Sequence, residues 1–125
     1  MKGMIQFILD DKSRTALLEA VHPKHEVVVA HHVTIAFKPE AGNPVLGQFR
    51  NGEELTIKAI GHAEDELIQA VSVRIFSTNE HPHITISHTY DTGPVYSNEL
   101  LQTVPVIPFE EPLELTGRIK FVYFK

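Results

Sequence analysis

Val27-Val28-Val29-Ala30-His31-His32-Val33-Thr34-Ile35-Ala36-Phe37 is β-branched and aromatic for most of its length and contains neither glycine nor proline. It predicts a strand over residues 27–37. Side chains alternate across a strand, so His32 and Thr34 share one face, Val33 and Ile35 take the other, and His31 points away from His32. A second string, His83-Ile84-Thr85-Ile86, repeats the arrangement inside a strand predicted over residues 83–88. The chain thus presents the same polar pair twice on strand faces.

Outward from these strings, Met4 to Leu9 reads as a first strand, and Asp11 is placed to cap a helix over Lys12 to Val21 with Leu17, Leu18 and Val21 on one side. Pro23 stops that helix. Residues 38–54 hold Pro39, Gly42, Asn43, Pro44, Gly47, Asn51 and Gly52, a long turn-rich connection of the kind that flanks sites. Leu55–Ile60 and Ile68–Phe76 alternate as adjacent strands, and Ser77–Pro82 is a loop. Ser97 is an N-cap candidate for a short helix with Glu99 in its first turn, and Pro105, Pro108 and Pro112 keep it short. Leu113 to Phe124 closes the chain as a strand, bulged at Gly117. Strands and helices do not alternate regularly, so the expectation is an α+β fold of mainly antiparallel strands with few short helices, forming one domain over residues 1–125.

The chain has 125 residues, enough to bury about two-thirds of its unfolded surface. With no cysteine, it has no disulfides, thiolate metal sites or cysteine nucleophile. A formal charge of −5 argues against coating long duplex DNA, which depends on neutralising many phosphates. No apolar stretch approaches a membrane span, and Asp10-Asp11 follows the first apolar run too soon for a secretory leader. A cytoplasmic protein is expected.

A bare His-x-Thr is cheap: eight histidines and nine threonines supply roughly half an occurrence by chance. Two copies, both extended to His-aliphatic-Thr-Ile and both in predicted strands, ask for a joint role. Histidine ionises near neutral pH and can take or give a proton. Cleaving a phosphodiester in line requires both acts, on opposite sides of phosphorus, and so calls for two histidines facing each other. A threonine one pleat away, at about 6.6–6.8 Å, can donate its hydroxyl proton to a non-bridging phosphate oxygen.

His32-Val33-Thr34-Ile35 and Pro82-His83-Ile84-Thr85-Ile86-Ser87 resemble the two signature motifs of the 2H phosphoesterase superfamily. Gly61-His62-Ala63-Glu64-Asp65, Ala70-Val71-Ser72-Val73 and Gly93-Pro94-Val95-Tyr96-Ser97-Asn98-Glu99-Leu100-Leu101 extend the likeness to the cyclic phosphodiesterase domain of fungal and plant-type tRNA ligases, over roughly residues 27–101. The resemblance implies two β-rich lobes with one His-x-Thr motif in each, facing a central groove. It also implies hydrolysis of a 2′,3′-cyclic phosphate on an RNA end or a nucleotide, leaving a 2′-phosphate. Carried over by position, His32 and His83 are the general acid/base pair and Thr34 and Thr85 hold the phosphate; which histidine is acid stays open. No glycine-rich phosphate loop of a ligase or kinase accompanies the motifs.

Around the pairs, Lys38 would share the face of His32 and Thr34 on a straight strand and add charge at the phosphate. Arg74 is a candidate substrate contact or a cross-strand ion-pair partner. Tyr90, Tyr96 and Phe76 are candidates for stacking on a base. His81 and His83 could begin an imidazole metal site, but no acidic ligand follows at a suitable spacing, so no metal and no cofactor are assigned. The expected partner is an RNA 3′ end or a (cyclic) nucleotide or oligonucleotide, bound by a monomer, with no membrane. The alternative substrates are 2′-5′ oligoadenylates or cyclic oligonucleotide messengers; a different class altogether would be a non-catalytic metal- or ligand-binding β domain.

Overall fold

The structure, a computed structural model, describes residues 1–125. Seven strands and three helices follow in the order β1 (Gly3–Leu9), α1 (Asp11–Ala20), β2 (Val27–Val28), β3 (His32–Phe37), α2 (Val45–Gln48), β4 (Glu54–Glu64), β5 (Ile68–Arg74), β6 (His83–His88), α3 (Ser97–Thr103) and β7 (Ile107–Tyr123). Every strand pairing is antiparallel, in the order β2-β6-β3-β1-β7-β4-β5, and β5 also pairs with β6. That last pairing closes six strands into a barrel, and β2 pairs the far end of β6 on the edge that β3 also uses, at Val27–His88 and Val28–Ser87. Closure leaves one lightly paired seam, between β3 and β6.

Alternation builds the interior. In β1 Gly3, Ile5, Phe7 and Leu9 are buried while Met4, Gln6 and Ile8 are half-buried, as a strand with one face on a core requires. The main cluster joins Ile5, Phe7, Val33, Ile35, Ile84 and Ile86 to Leu17 and Val21 at the end of α1. A smaller one sets Leu100 and Leu101 of α3 against Ala63, Ile68 and Ala70.

Several boundaries differ from the sequence expectation for identifiable reasons. The 27–37 run is two strands, because Ala30 adopts φ +42° and turns the chain. The backbone amides of Val29 and Ala30 donate to Ile86 and Thr85, and the Arg14 guanidinium of α1 donates to the carbonyls of the same two residues. Tertiary hydrogen bonds therefore offset a left-handed conformation that alanine disfavours. α1 begins one residue early, with Asp10 rather than Asp11 accepting the Ser13 amide proton. Ser97 does not cap α3: it lies inside a continuous turn that begins as a 3-10 segment at Pro94–Tyr96. β7 starts at Ile107 and is regular at Gly117, which pairs with Leu9 on one side and Leu55 on the other. There a Cβ would fall 2.1 Å from the Ile8 carbonyl oxygen, so glycine serves close approach of strands, not a bulge. The irregularity in β4–β7 lies between Ala59 and Gly61.

Candidate active site

The two His-x-Thr strings meet at the least-paired seam of the barrel. β3 and β6 share one ladder position, Val33 with Ile84, both fully buried. On an antiparallel ladder the flanking residues then fall opposite each other, His32 towards Thr85 and Thr34 towards His83. Beyond that position the strands part, and all four polar side chains line one groove of about 480 Å³.

A bulge in β3 builds one wall. Ile5 pairs with Ala36 and Gln6 with Thr34, so Ile35 is an extra residue with no partner on β1. Its freed carbonyl accepts hydrogen bonds from the Thr78 amide (2.9 Å) and the Ser77 hydroxyl (2.7 Å), which draws the 77–82 loop alongside the groove. The segment after β6 supplies the opposite wall through Pro94, Val95 and Asn98. The two walls are tied where the Asn79 side-chain Nδ2 donates to Asn98 Oδ1 at 2.9 Å.

The bulge also changes what reaches the rim. On a straight strand Lys38 would follow His32 and Thr34; with Ile35 inserted, Phe37 takes that side and lines the groove, 59% exposed. Lys38 adopts φ +46° and places its ammonium 5.4 Å from the Phe37 ring centroid and 6.0 Å from that of Phe124. Its charge stands behind an aromatic rim instead of beside the imidazoles. Arg74, Tyr90 and Tyr96 do not line the groove. Arg74 is exposed and lies opposite Lys58 on β4, with no ion pair. Tyr90 is 78% exposed. Tyr96 donates its hydroxyl to Asp65 Oδ2 at 2.7 Å, which raises the Tyr96 pKa. The turn-rich 38–54 connection lies away from the groove as well.

His83 is held through its back nitrogen: Nδ1 donates to the His81 carbonyl at 2.8 Å, leaving Nε2 as the free ring atom. Burial lowers its pKa, the His81 carbonyl opposes that, and the His81 ring adds to the lowering. His32 is lowered by burial, then by the charges of His31 and His83, so the two motif imidazoles are near enough to sense each other. The His31 ring does not point away. Its Nδ1 lies 3.0 Å from His32 Nδ1, with the ring planes at 78°, because the turn at Ala30 interrupts the strand alternation just before β3.

The threonines differ. Thr34 is half-buried, whereas Thr85 is 6% exposed and shares a 2.8 Å hydrogen bond with the fully buried Ser97 hydroxyl. When Ser97 donates, the Thr85 proton points to the Pro94 carbonyl at 3.5 Å, a long bond that a ligand oxygen could replace. Phe37, Thr78, Asn79, Val95, Asn98 and the partners His31 and Ser97 were not identified from the sequence as site residues. Ser97 alone carried a local signal, and it was the wrong one, that of a helix cap. No group of three or more His, Asp or Glu side chains suited to a metal ion forms in the structure. No helix is long and apolar enough to cross a membrane.

No family model matches the chain, and no curated protein matches it in sequence. Among solved structures it is similar to the crystal structure of a fungal RNA kinase, with a TM-score of 0.72 and 15% identity over 99% of this chain. The match covers 46% of that kinase chain, so this protein spans about half its length. At that identity the likeness is one of fold, and the barrel described above is the fold the two proteins share.

Proposed function

We propose that this protein is a 2H-type phosphodiesterase that hydrolyses a 2′,3′-cyclic phosphate on an RNA end or a nucleotide, leaving a 2′-phosphate. The observation that carries the reading is the convergence of His32, Thr34, His83 and Thr85 on one groove from strands about fifty residues apart in sequence. The two lobes of the reading are the β3-β1-β7 and β6-β5-β4 halves of the barrel, bridged beside the groove by the Val33–Ile84 pair. The neighbour of like fold is by its title an RNA kinase, which favours RNA as the substrate class.

In this reading the cyclic phosphate sits between the imidazoles. Water attacks phosphorus while one Nε2 takes its proton; the bond from phosphorus to the 3′ oxygen breaks, and the other imidazole gives that oxygen a proton. Threonine hydroxyls donate to the non-bridging oxygens, where negative charge accumulates. The exposed Phe37 and Val95 at the rim offer an apolar surface for a base. Both imidazoles come from one chain, so a monomer suffices.

The test is a panel of nucleoside 2′,3′-cyclic phosphates, RNA ending in a cyclic phosphate, 2′-5′ oligoadenylates and cyclic dinucleotides, with products weighed by mass spectrometry. Ring opening to a 2′-phosphate is expected, with His32→Ala and His83→Ala each reducing turnover about 10²-fold or more at unchanged circular dichroism. Full activity in either variant, or cleavage confined to 2′-5′ linkages, overturns the assignment.

A further inference from the structure

The two motif histidines are fixed through their Nδ1 atoms by different kinds of partner. His83 faces a main-chain carbonyl, which can only accept; His32 faces another imidazole, which can accept or donate according to its own proton. Neutral His31 with a lone pair on Nδ1 accepts the His32 Nδ1 proton, and His32 Nε2 then carries a lone pair into the groove. Protonated His31 bears hydrogen on Nδ1, so a bond at 3.0 Å forms only if His32 Nδ1 is the acceptor. In that arrangement the proton of His32 sits on Nε2, and its lone pair is gone from the groove.

We propose that His31 is a positioning residue that selects the tautomer of His32, making it the general base when His31 is neutral and disabling it when His31 is protonated. The assignment rests on the phosphodiesterase reading, and it leaves His83 as the acid. Step by step, His32 Nε2 takes a proton from the attacking water and its Nδ1 proton stays on the bond to His31. Protonated His83 gives its Nε2 proton to the leaving 3′ oxygen and keeps its Nδ1 proton on the His81 carbonyl. Solvent then restores both rings.

The surroundings agree with these roles. The His81 carbonyl on Nδ1 opposes the lowering caused by burial at His83, whereas at His32 burial and the neighbouring histidines all act in the lowering direction. His31 is exposed and open to solvent protons. Facing the pair are His83 of β6, whose charge acts on His32, and Arg14 of α1, which holds the Val29 and Ala30 carbonyls just before it; His81, in the loop before β6, acts on His83. Neither ring hydrogen-bonds a carboxylate that would favour a proton there.

The experiment compares wild type with His31→Ala and His31→Asn by two readouts. Long-range ¹H–¹⁵N correlation at pH 8 reads the His32 tautomer directly, without substrate. It should show Nδ1–H in wild type and in His31→Asn, whose side-chain oxygen can accept the same bond, and a shift towards Nε2–H in His31→Ala. Steady-state kinetics should show kcat down about tenfold or more in His31→Ala with KM little changed, within what a general base supplies. His31→Asn should restore most of that loss and move the acid limb of the pH profile to lower pH, because the first proton must then go to His32 itself. An unchanged His32 tautomer in His31→Ala, or a His31→Asn profile that overlays wild type, overturns the proposal. Should the wild type hydrolyse nothing in the panel, the phosphodiesterase reading fails, and the tautomer measurement still decides the role of His31.

Discussion

β3 and β6 carry nearly the same four residues and hold them in unlike ways. On β6 everything behind the motif is fixed: His83 bonds a main-chain carbonyl, Thr85 bonds a fully buried serine, and five of the six strand residues are buried. On β3 the motif is bounded by a left-handed alanine before it and a bulge within it, its histidine leans on an exposed ring, and its threonine is half-buried. A repeated sequence motif therefore makes two non-equivalent halves. One side is preset by a main-chain carbonyl and the other rests on a second imidazole, an asymmetry that suits the proposed acid and base roles.

The sharpest way to break this comparison is to exchange the imidazoles one at a time. His83→Gln and His32→Gln should each lose about 10²–10⁴-fold in kcat, and both pH profiles should lose one limb, opposite limbs for the two variants. Loss of the same limb in both would erase the asymmetry.

Next in size is the pair of threonines. Thr85→Val removes the only hydrogen-bond partner of the Ser97 hydroxyl, which is fully buried, so chemical denaturation should report a loss of about 1–3 kcal/mol. Thr34→Val should change stability by less than about 0.5 kcal/mol while still lowering kcat. Equal destabilisation would show that the two threonines are held alike.

A smaller effect is expected from pH. Both motif histidines have pKa values lowered below 6.5, so the unfolded chain binds more protons than the folded one in the window beneath that value. Their contribution to stability is complete above about pH 6.5 and is lost as pH falls through the lowered values. The midpoint of denaturant unfolding should accordingly drop between pH 7 and pH 5, and the drop should shrink in His83→Gln. A second, more acidic loss follows from Glu64, whose carboxyl is lowered chiefly by its bond to Lys24, and is separable by Lys24→Ala.

The smallest expected effects lie at residues outside the groove. Tyr90→Ala and Arg74→Ala should each leave kcat and KM within about twofold, since neither lines the groove. Tyr96→Phe removes the hydroxyl bonded to Asp65, whose carboxyl pKa is lowered by the Leu67 amide, Tyr96 and the Ile68 amide against the opposing effect of burial. It should lower the midpoint of denaturant unfolding slightly and leave activity unchanged. A strong kinetic defect in any of the three would extend the site beyond its present walls.

What could be read from residues alone follows from how far each signal travels. Strand alternation is local, so β1, β5, β6 and the sharing of a face by His32 and Thr34 were legible, as was the antiparallel α+β character of the chain. The break at Ala30 was not, because the run reads as continuous strand and only bonds from Ile86, Thr85 and Arg14 hold the turn. The bulge at Ile35 was equally silent: nothing in Val-Thr-Ile-Ala-Phe says which residue will lack a partner on β1. Those two departures decide that Phe37 replaces Lys38 at the rim and that His31 turns back to its neighbour.

The sequence by itself determined the groups on which the proposed reaction draws: two imidazoles and two hydroxyls, each pair placed on a strand face by a period of two residues, with no cysteine to compete. Only the tertiary structure decided that the two faces are one site, because the Val33–Ile84 pairing joins residues fifty-one positions apart and sequence pattern carries no register between distant strands. It also decided what stands behind each imidazole. A carbonyl and a second histidine are brought to the Nδ1 atoms by backbone geometry, and the proton each ring can offer depends on that partner.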